Sequence, residues 1–296
     1  MSIRTNLRKI DFLKNSYRTV RKSFEKSSDY IKTNYYKIIG QPIFYSYYAR
    51  VNNFGDLFNK DLISFFGYKL IHTDSYKKSQ ASLLGSILQM YPQDYKGFIL
   101  GSGFIHKRFK RLNNNWKIRL LRGPLSAEQC EAKNCAYGDP GVLASLVYKN
   151  NNKKKYKLGI LPHSSDFDEI NKIKFGDSIK IITARKSPSE VAKDIMECEN
   201  IASSSLHGLI FADSYGIPNV HLKFGDKLIG GLHKFNDYYL GMGLSILPEP
   251  LTYSSSLNTD EIINACKNYF SEEIIKLKQQ EIISIYNEVL KTKSGD

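Results

Sequence analysis

The residues best suited to chemistry lie between Ser203 and Pro218, where three serines are followed by Leu206, His207 and Gly208. Serines of this kind cap helices, and apolar residues recur behind them at helical spacing. A helix that starts directly after a strand presents unpaired amides and the positive end of its dipole, which attract anions. The pattern predicts an anion site containing an ionisable histidine. A packed helix whose histidine only satisfies a buried polar position would explain the same residues.

Two charged side chains follow strands that the first half of the sequence predicts. Asp56 closes Asn52-Asn-Phe-Gly-Asp56 at the start of a helix, where it could deprotonate a sugar hydroxyl or only complement the helix dipole. Arg122 stands between a strand and a helix opened by Pro124, and its planar fork suits carboxylate and phosphate groups. A surface arginine is the alternative for Arg122.

Further histidines and a lysine occupy comparable turns. His106 follows Gly101-Ser-Gly103, which resembles a loop that cradles a ligand but lacks the full spacing of a dinucleotide fingerprint. His163 ends the first strand of the second half, and Lys234 lies just after a pair of glycines. None of the histidines has metal-ligand spacing or clustered carboxylates, so we expect no metal site.

The chain carries a formal charge of +14 over 296 residues, which predicts an acidic partner such as a phosphorylated substrate, an anionic membrane or nucleic acid. Residues 1–39 hold ten basic and three acidic side chains, a net charge of +7. Ile10, Leu13, Tyr17, Val20 and Phe24 recur there as on one helix face. This leader, through residues 1–38, predicts either a peripheral membrane contact or a solvated helix. No nucleic-acid reader motif accompanies the charge, so we expect no nucleic acid partner.

Targeting signals and cysteine patterns favour the cytoplasm. The sequence has no apolar run long enough to span a bilayer, and its N-terminus lacks a signal-peptide pattern. Its four cysteines have neither zinc spacing nor the density of a disulfide framework. We expect reduced thiols and a cytoplasmic location, with the inner face of the membrane as an option.

Strand and helix patterns alternate on both sides of the polar run 150–155. We therefore predict an α/β protein with two Rossmann-like domains facing a cleft, and ligands at the carboxyl ends of parallel strands. The expected divisions are a basic amphipathic leader (1–40), an N-terminal acceptor-side domain (41–150), a C-terminal donor-side domain (151–255) and C-terminal helices (256–296). Within the first domain, residues 82–90 are expected to form a helix.

The order of the motifs resembles that of the polysaccharide pyruvyltransferase family over roughly residues 43–243. The resemblance is carried by Asn53-Phe-Gly-Asp56, Gly101-Ser-Gly103, Arg122-Gly-Pro124 with Ser126, Gly138-Asp-Pro140, Pro162-His163 with Asp166, Ser203-Ser-Ser-Leu-His-Gly208 with Gly216-Ile-Pro218, and Lys234-Phe235 with Asp237-Tyr238. The Ser-Leu-His-Gly element is the most specific of these.

The resemblance implies a fold like that of GT-B glycosyltransferases. It also implies transfer of the pyruvyl group of phosphoenolpyruvate, a substrate rather than a cofactor, onto two hydroxyls of a sugar in a bacterial surface polysaccharide or its lipid-linked precursor. It makes His207, Asp56 and His163 the catalytic candidates. The substrate-binding candidates are Asn53, Gly55, Gly103, His106, Arg122, Ser205, Leu206, Gly208 and Lys234.

Several assignments stay open at this point. Some family members carry an arginine where this chain has Ser205, and Arg122, Arg185 or Lys234 could supply the missing phosphate contact. His106, His163 and His207 all remain candidates for the catalytic proton. A nucleotide-sugar glycosyltransferase of similar architecture and a non-enzymatic module that binds anionic polymers are the alternative functions.

Overall fold

The computed structural model describes residues 3–47, 53–109, 115–149, 153–170, 176–225, 230–254 and 257–293, and their side chains except those of 3–18, 168–169 and 293. The sequence also predicts a strand over 43–48 and a helix over 167–173. These two elements, the turn that starts at Asn52 and the polar run 150–155 lie partly outside the described residues. The structure is mixed α/β, with parallel sheets flanked by helices, as the alternating pattern predicted.

The first half of the chain contains a long helix followed by short strands and helices. Its elements are α1 (Ile3–Ile38), β1 (Ile43–Ser46), α2 (Phe54–Phe65), β2 (Lys69–His72), β3 (Ala81–Ser82), β4 (Phe98–Leu100), β5 (Lys117–Leu121), α3 (Pro124–Gln129), β6 (Ala136–Tyr137) and α4 (Ala144–Val147).

The second half repeats the alternation and ends in two helices. Its elements are β7 (Tyr156–Leu161), α5 (Phe167–Ile170), β8 (Ile179–Ile181), α6 (Pro188–Met196), β9 (Cys198–Ser203), α7 (Leu206–Ser214), β10 (Asn219–Lys223), α8 (His233–Gly241), β11 (Leu251–Thr252), α9 (Thr259–Ala265) and α10 (Glu272–Lys293).

The first half builds two parallel sheets that adjoin each other. One has the order β1-β2 and the other β3-β4-β5-β6. They meet where the Gln80 N–H donates to the Tyr45 carbonyl at 2.8 Å and the Tyr45 N–H donates to Gln80 Oε1 at 2.7 Å. Because every described strand pair here is parallel, the loops at the carboxyl ends of these strands share one edge.

The second half builds one parallel sheet of five strands in the order β8-β7-β9-β10-β11. The buried strands β7 and β9 lie at its centre, in a register that pairs Leu161 with Ser203. Loops that leave the carboxyl ends of β7 and β9 therefore begin side by side.

The predicted helix over 82–90 is wrong. Residues 81–82 form β3, and residues 88–90 form a single 3-10 turn. Between them Gly85 adopts φ +135°, which a helix does not allow, and its carbonyl accepts a hydrogen bond from the Gly103 N–H at 3.0 Å. The backbone of this segment therefore bonds to the loop that contains Gly103 instead of forming the helix that its apolar spacing predicts.

The C-terminal helix α10 packs against the first half of the chain. Tyr286 is buried and its hydroxyl donates to the Leu100 carbonyl on β4 at 2.8 Å. Lys278 Nζ donates to the Tyr137 carbonyl on β6 at 2.8 Å. One hydrophobic cluster includes residues from α2, α7 and α10, so a common core supports the elements that carry the site.

Candidate functional site

Helix α7 begins two residues after β9, with Ser205 at the N-cap and His207 at its second position, as predicted. The Ser205 side chain makes no capping bond, and its N–H instead donates to Ser203 Oγ at 3.0 Å. The amides of Leu206 and His207 have no carbonyl one turn earlier in the helix. They remain at the positive end of the dipole, where an anion is favoured.

The glycine after His207 has a packing role. A Cβ at Gly208 would lie 2.3 Å from Ser203 Oγ, so the start of α7 can approach the end of β9 only without a side chain there. At the other end of α7, Gly216 adopts φ +64° just beyond the last turn, as a helix-terminating glycine does. These two glycines set how α7 sits on its strand.

His207 is only 8% exposed and is held between α7 and the start of α2. A Cβ at Gly55 would lie 1.9 Å from His207 Nδ1, and the Phe54 ring meets the imidazole edge-on at 6.4 Å between centroids. Among the described residues, His207 Nε2 has no hydrogen-bond partner. Burial, together with the charges of Lys234 and Arg122, lowers the pKa of His207 to about 3, so the imidazole is neutral.

Lys234 brings a buried cation to the same place from the first turn of α8. The residue is 9% exposed, and within the described part of the chain its ammonium makes no hydrogen bond or ion pair beyond a contact over the Phe235 ring at 5.2 Å. Burial and the Arg122 charge lower the pKa of Lys234 to about 8, against the opposing pull of Asp56 and Asp166. A desolvated ammonium without a counter-ion is suited to a bound anion.

Arg122 is fully buried, and the hydrogen bonds it makes are within the protein. Its Nε donates to Asp237 Oδ2 at 3.0 Å, Nη1 to Ser86 Oγ at 2.7 Å and Nη2 to the Phe104 carbonyl at 2.6 Å. A Cβ at Gly103 would lie 2.5 Å from its Cζ, so this glycine makes room for the guanidinium. Arg122 thus adds positive charge to the site while most of its donors hold the loops together.

The first turn of α2 supplies the carboxylate. Asn53 caps the helix by accepting from the Gly55 N–H at 3.1 Å. Burial raises the pKa of Asp56 to about 6, and the charge of Lys234 lowers it only in part. A carboxylate tuned toward neutrality is the type that accepts a proton in catalysis.

His163 reaches the site from the end of β7. The backbone N–H of His163 donates to Ser204 Oγ at 2.8 Å, and the Ser204 hydroxyl donates in turn to Asp166 Oδ2 at 3.1 Å. Its Nδ1 lies 2.9 Å from Ser165 Oγ. Burial and the Lys234 charge lower the pKa of His163, while Asp166 opposes them. The loop after β7 and the loop after β9 are therefore fixed to each other beside Lys234.

His106 is placed apart from this cluster. It lines a separate cleft of about 660 Å³ between α3 and the start of α8, together with Glu128, Gln129, His233 and Asn236. The backbone of Gly230 lies against the Ile105 carbonyl at one edge of this cleft. A Cβ at Gly230 would be only 1.9 Å from that oxygen. His233 lines this cleft from α8, whereas Lys234, the next residue of the helix, does not.

Sequence reasoning missed His221 as a contributor to the site and named Asp237 only as part of a motif. His221 on β10 is 3% exposed, and its ring stacks on Phe235 at 3.8 Å between centroids. Burial, Lys234 and Lys223 lower its pKa to about 4. Asp237 accepts from the Ser126 N–H at 3.0 Å and the Ser126 hydroxyl at 2.6 Å as well as from Arg122. The position of His221 near the carboxyl end of a parallel strand was the available signal for it.

Two classes of feature are absent from the part of the chain that the structure covers. No group of three or more His, Cys, Asp or Glu side chains is arranged there to hold a metal ion. None of its helices combines the length and the apolar character needed to cross a bilayer.

Comparison of the sequence with known proteins identifies a family and two relatives. The chain matches the family model described as polysaccharide pyruvyl transferase over residues 3–224. It is 28% identical over 271 residues to an uncharacterized protein of Acanthamoeba polyphaga mimivirus, with 82% of this chain and 90% of that protein covered. It is 26% identical over 219 residues to the succinoglycan biosynthesis protein ExoV of Rhizobium meliloti strain 1021, with 71% of this chain and 68% of ExoV covered.

A solved structure of a functionally uncharacterized protein from Klebsiella pneumoniae covers 77% of this chain and 98% of its own. Its TM-score of 0.42 and 12% identity are too low to carry an argument. The match to the family model extends over well more than half of the chain and confirms the resemblance read from the motifs. The protein therefore belongs to the polysaccharide pyruvyl transferase family and is a transferase enzyme.

Proposed function

We propose that the protein moves the pyruvyl group of phosphoenolpyruvate onto two hydroxyls of a sugar, forming a cyclic ketal in a surface polysaccharide or its lipid-linked precursor. The observation that carries the proposal is the buried ammonium of Lys234, which makes no ion pair with the described residues and whose charge lowers the pKa of His207. Phosphoenolpyruvate carries a phosphate and a carboxylate, so its site requires cations and free amides in a desolvated setting.

The donor binds where these groups converge. The amides of Leu206 and His207 and the Lys234 ammonium hold its phosphate, and Lys234 supplies the contact that an arginine at position 205 makes in other members. His163 binds the carboxylate, and Arg122 contributes its charge from a buried position in which its Nη2 donates to the Phe104 carbonyl. Both Lys234 and Arg122 lower the pKa of His207, so an anion that neutralises them raises it again.

The reaction starts at the methylene carbon of the donor. His207, protonated once the anion is bound, delivers a proton to this carbon and C2 becomes electrophilic. A sugar hydroxyl adds to C2 and passes its proton to Asp56. The C2–O bond to phosphate then breaks, and a second hydroxyl adds to C2 to close the ring. Of the two hydroxyl protons, one replaces the proton spent on the new methyl group and the other leaves with phosphate.

The acceptor occupies the cleft that contains His106. Its lining combines the polar side chains of Glu128, His233 and Asn236 with the apolar Leu125 and Leu232, a mixture suited to sugar hydroxyls and a sugar ring face. His233 lines the cleft and directly precedes Lys234 in α8. The proposed transfer requires a glycan in this cleft to extend its terminal hydroxyls to Asp56.

The proposal includes the division into two Rossmann-like, GT-B-like domains, with the acceptor on the side of residues 41–150 and the donor on the side of 151–255. The all-parallel pairing of the described strands supports it, since ligands bind at the carboxyl ends of such strands. Asp56 and Arg122 follow strands of the first half, whereas His163 and His207 follow strands of the second.

The test is turnover with phosphoenolpyruvate and a panel of free and lipid-linked glycosides. We expect stoichiometric phosphate release and a product whose mass increases by one pyruvate ketal. Lys234→Met should lower kcat/KM on the order of 100-fold, because it removes a buried charge on a dianion. Release of UDP or GDP from a nucleotide-sugar, with phosphoenolpyruvate inert, would instead establish a glycosyltransferase.

A further inference from the structure

Helix α1 exposes a row of large apolar side chains. The side chains are Val20 (69% exposed), Phe24 (76%), Ile31 (66%), Tyr35 (56%) and Ile38 (82%). Because each residue turns the helix by about 100°, these five side chains point within roughly 60° of one another around the helix axis. We call these five residues the α1 stripe.

The α1 stripe faces away from the rest of the protein. The opposite side of the helix carries Lys22, Lys26, Asp29 and Thr33, which line a cleft of about 410 Å³ against β1, β2 and the residues that follow β2. Lys26 Nζ pairs with Asp74 there at 3.2 Å. An ordinary surface helix turns its apolar side to the core, and α1 does the reverse. A contiguous exposed apolar row of this kind marks a contact surface.

The charge of the segment distinguishes two partners that could cover this surface, a second copy of α1 and an anionic bilayer. Residues 1–39 carry ten basic and three acidic side chains, so two copies of α1 in contact would bring together two segments of charge +7. An anionic bilayer surface instead attracts basic segments, by about 1 kcal/mol per residue near the surface. Lys32 directly follows Ile31, about 100° further around the helix, where a shallowly inserted helix meets lipid headgroups.

We propose that α1 lies in the plane of an anionic membrane surface, with the α1 stripe in the boundary between headgroups and acyl chains. The helix is far too polar to span the bilayer, so it associates peripherally. The proposal does not require the pyruvyl transfer reaction. Vesicle binding is measured without donor or acceptor, and its failure would leave the proposed chemistry untouched.

The first experiment is co-sedimentation of the full chain with vesicles of phosphatidylcholine alone or mixed with phosphatidylglycerol. We expect binding to the mixed vesicles only, and weakening with added salt because screening shortens the reach of the charges. The double variant Phe24→Glu with Ile31→Glu should bind at least roughly tenfold more weakly, since two apolar anchors are lost and two repelling charges added. Ile246→Glu is the matched control, because Ile246 is 85% exposed outside α1 and should leave binding unchanged.

A reporter variant tests insertion directly. In Phe24→Trp, emission should shift to the blue and be quenched by brominated lipid, whereas the native Trp116 is buried and cannot respond. Light scattering on the unmodified protein and the double variant reports association between copies. Three results would each overturn the proposal. They are a wild-type protein that does not bind anionic vesicles, an equal loss of binding in the Ile246 control, and a change of oligomeric mass in the double variant. The last outcome would assign the stripe to a second copy of the chain.

Discussion

Gly55 lies directly against the imidazole of His207, and a Cβ at position 55 would be 1.9 Å from Nδ1. The two residues belong to the first turns of different helices, α2 and α7, which the contact holds at a fixed separation. The side chain that carries the proposed proton is therefore positioned by the absence of a side chain opposite it.

Gly55→Ala should displace His207 and lower kcat/KM. A misplacement of about 1 Å in a catalytic group costs on the order of 100-fold, and we expect a loss of that order with KM for the donor changed less than kcat. Steady-state kinetics check this. Gly176→Ala is the control, because a Cβ there meets nothing within 4 Å. Equal activity in both variants would mean that the imidazole position does not matter.

The affinity for phosphoenolpyruvate should fall as the pH rises through about 8. Lys234, whose pKa is about 8, holds the donor only when it is protonated, and it becomes neutral above that value. Calorimetric titration at a series of pH values measures the dissociation constant. Lys234→Met should bind the donor weakly at every pH and lose this dependence. A dependence that persists in the variant would belong to the donor or to another residue.

The donor should raise the pKa of His207 from its free value of about 3 to near the working pH, because a general acid must hold its proton there. The shift follows because the bound phosphate and carboxylate offset the positive charges of Lys234 and Arg122. Histidine-labelled NMR titrations with and without phosphoenolpyruvate measure it, and His207→Gln assigns the resonance. An imidazole that stays neutral throughout the complex at working pH would transfer the general-acid role to another group.

Asp237→Asn should destabilise the fold by about 3–5 kcal/mol, because it leaves the Arg122 guanidinium buried without its counter-ion. The Arg122 and Asp237 side chains are 1% and 0% exposed. Urea unfolding measures the change. Asp94→Asn is the control, since its ion pair with Lys77 is exposed and should contribute nothing measurable. Matching midpoints for the two variants would show that the buried pair is dispensable.

The local features of the site could be predicted because short-range rules determine them. Ser205, His207 and Gly216 fell where capping and termination rules placed them, and the strand–helix alternation predicted the mixed α/β structure. The helix expected over 82–90 failed because Gly85 pairs with a loop that is distant in sequence. Such pairing leaves no trace in local periodicity.

Contacts between distant elements were beyond the reach of the sequence patterns. Asp237 appeared only as part of a motif, yet it joins Arg122 and Ser126 from 115 and 111 positions away. The stacking of His221 on Phe235 joins a strand to a later helix, and no local pattern indicates that contact. The pKa of Lys234 depends on burial and on Arg122, neither of which neighbours it in sequence.

The anchoring of α10 on β4 and β6 has a consequence for biosynthesis. The hydroxyl of Tyr286 and the ammonium of Lys278 satisfy carbonyls of Leu100 and Tyr137, more than a hundred positions earlier in the chain. During translation β4 and β6 are therefore made well before the helix whose side chains satisfy these carbonyls. Deletion of α10 would leave both carbonyls, which belong to the half of the molecule that is made first, without these donors.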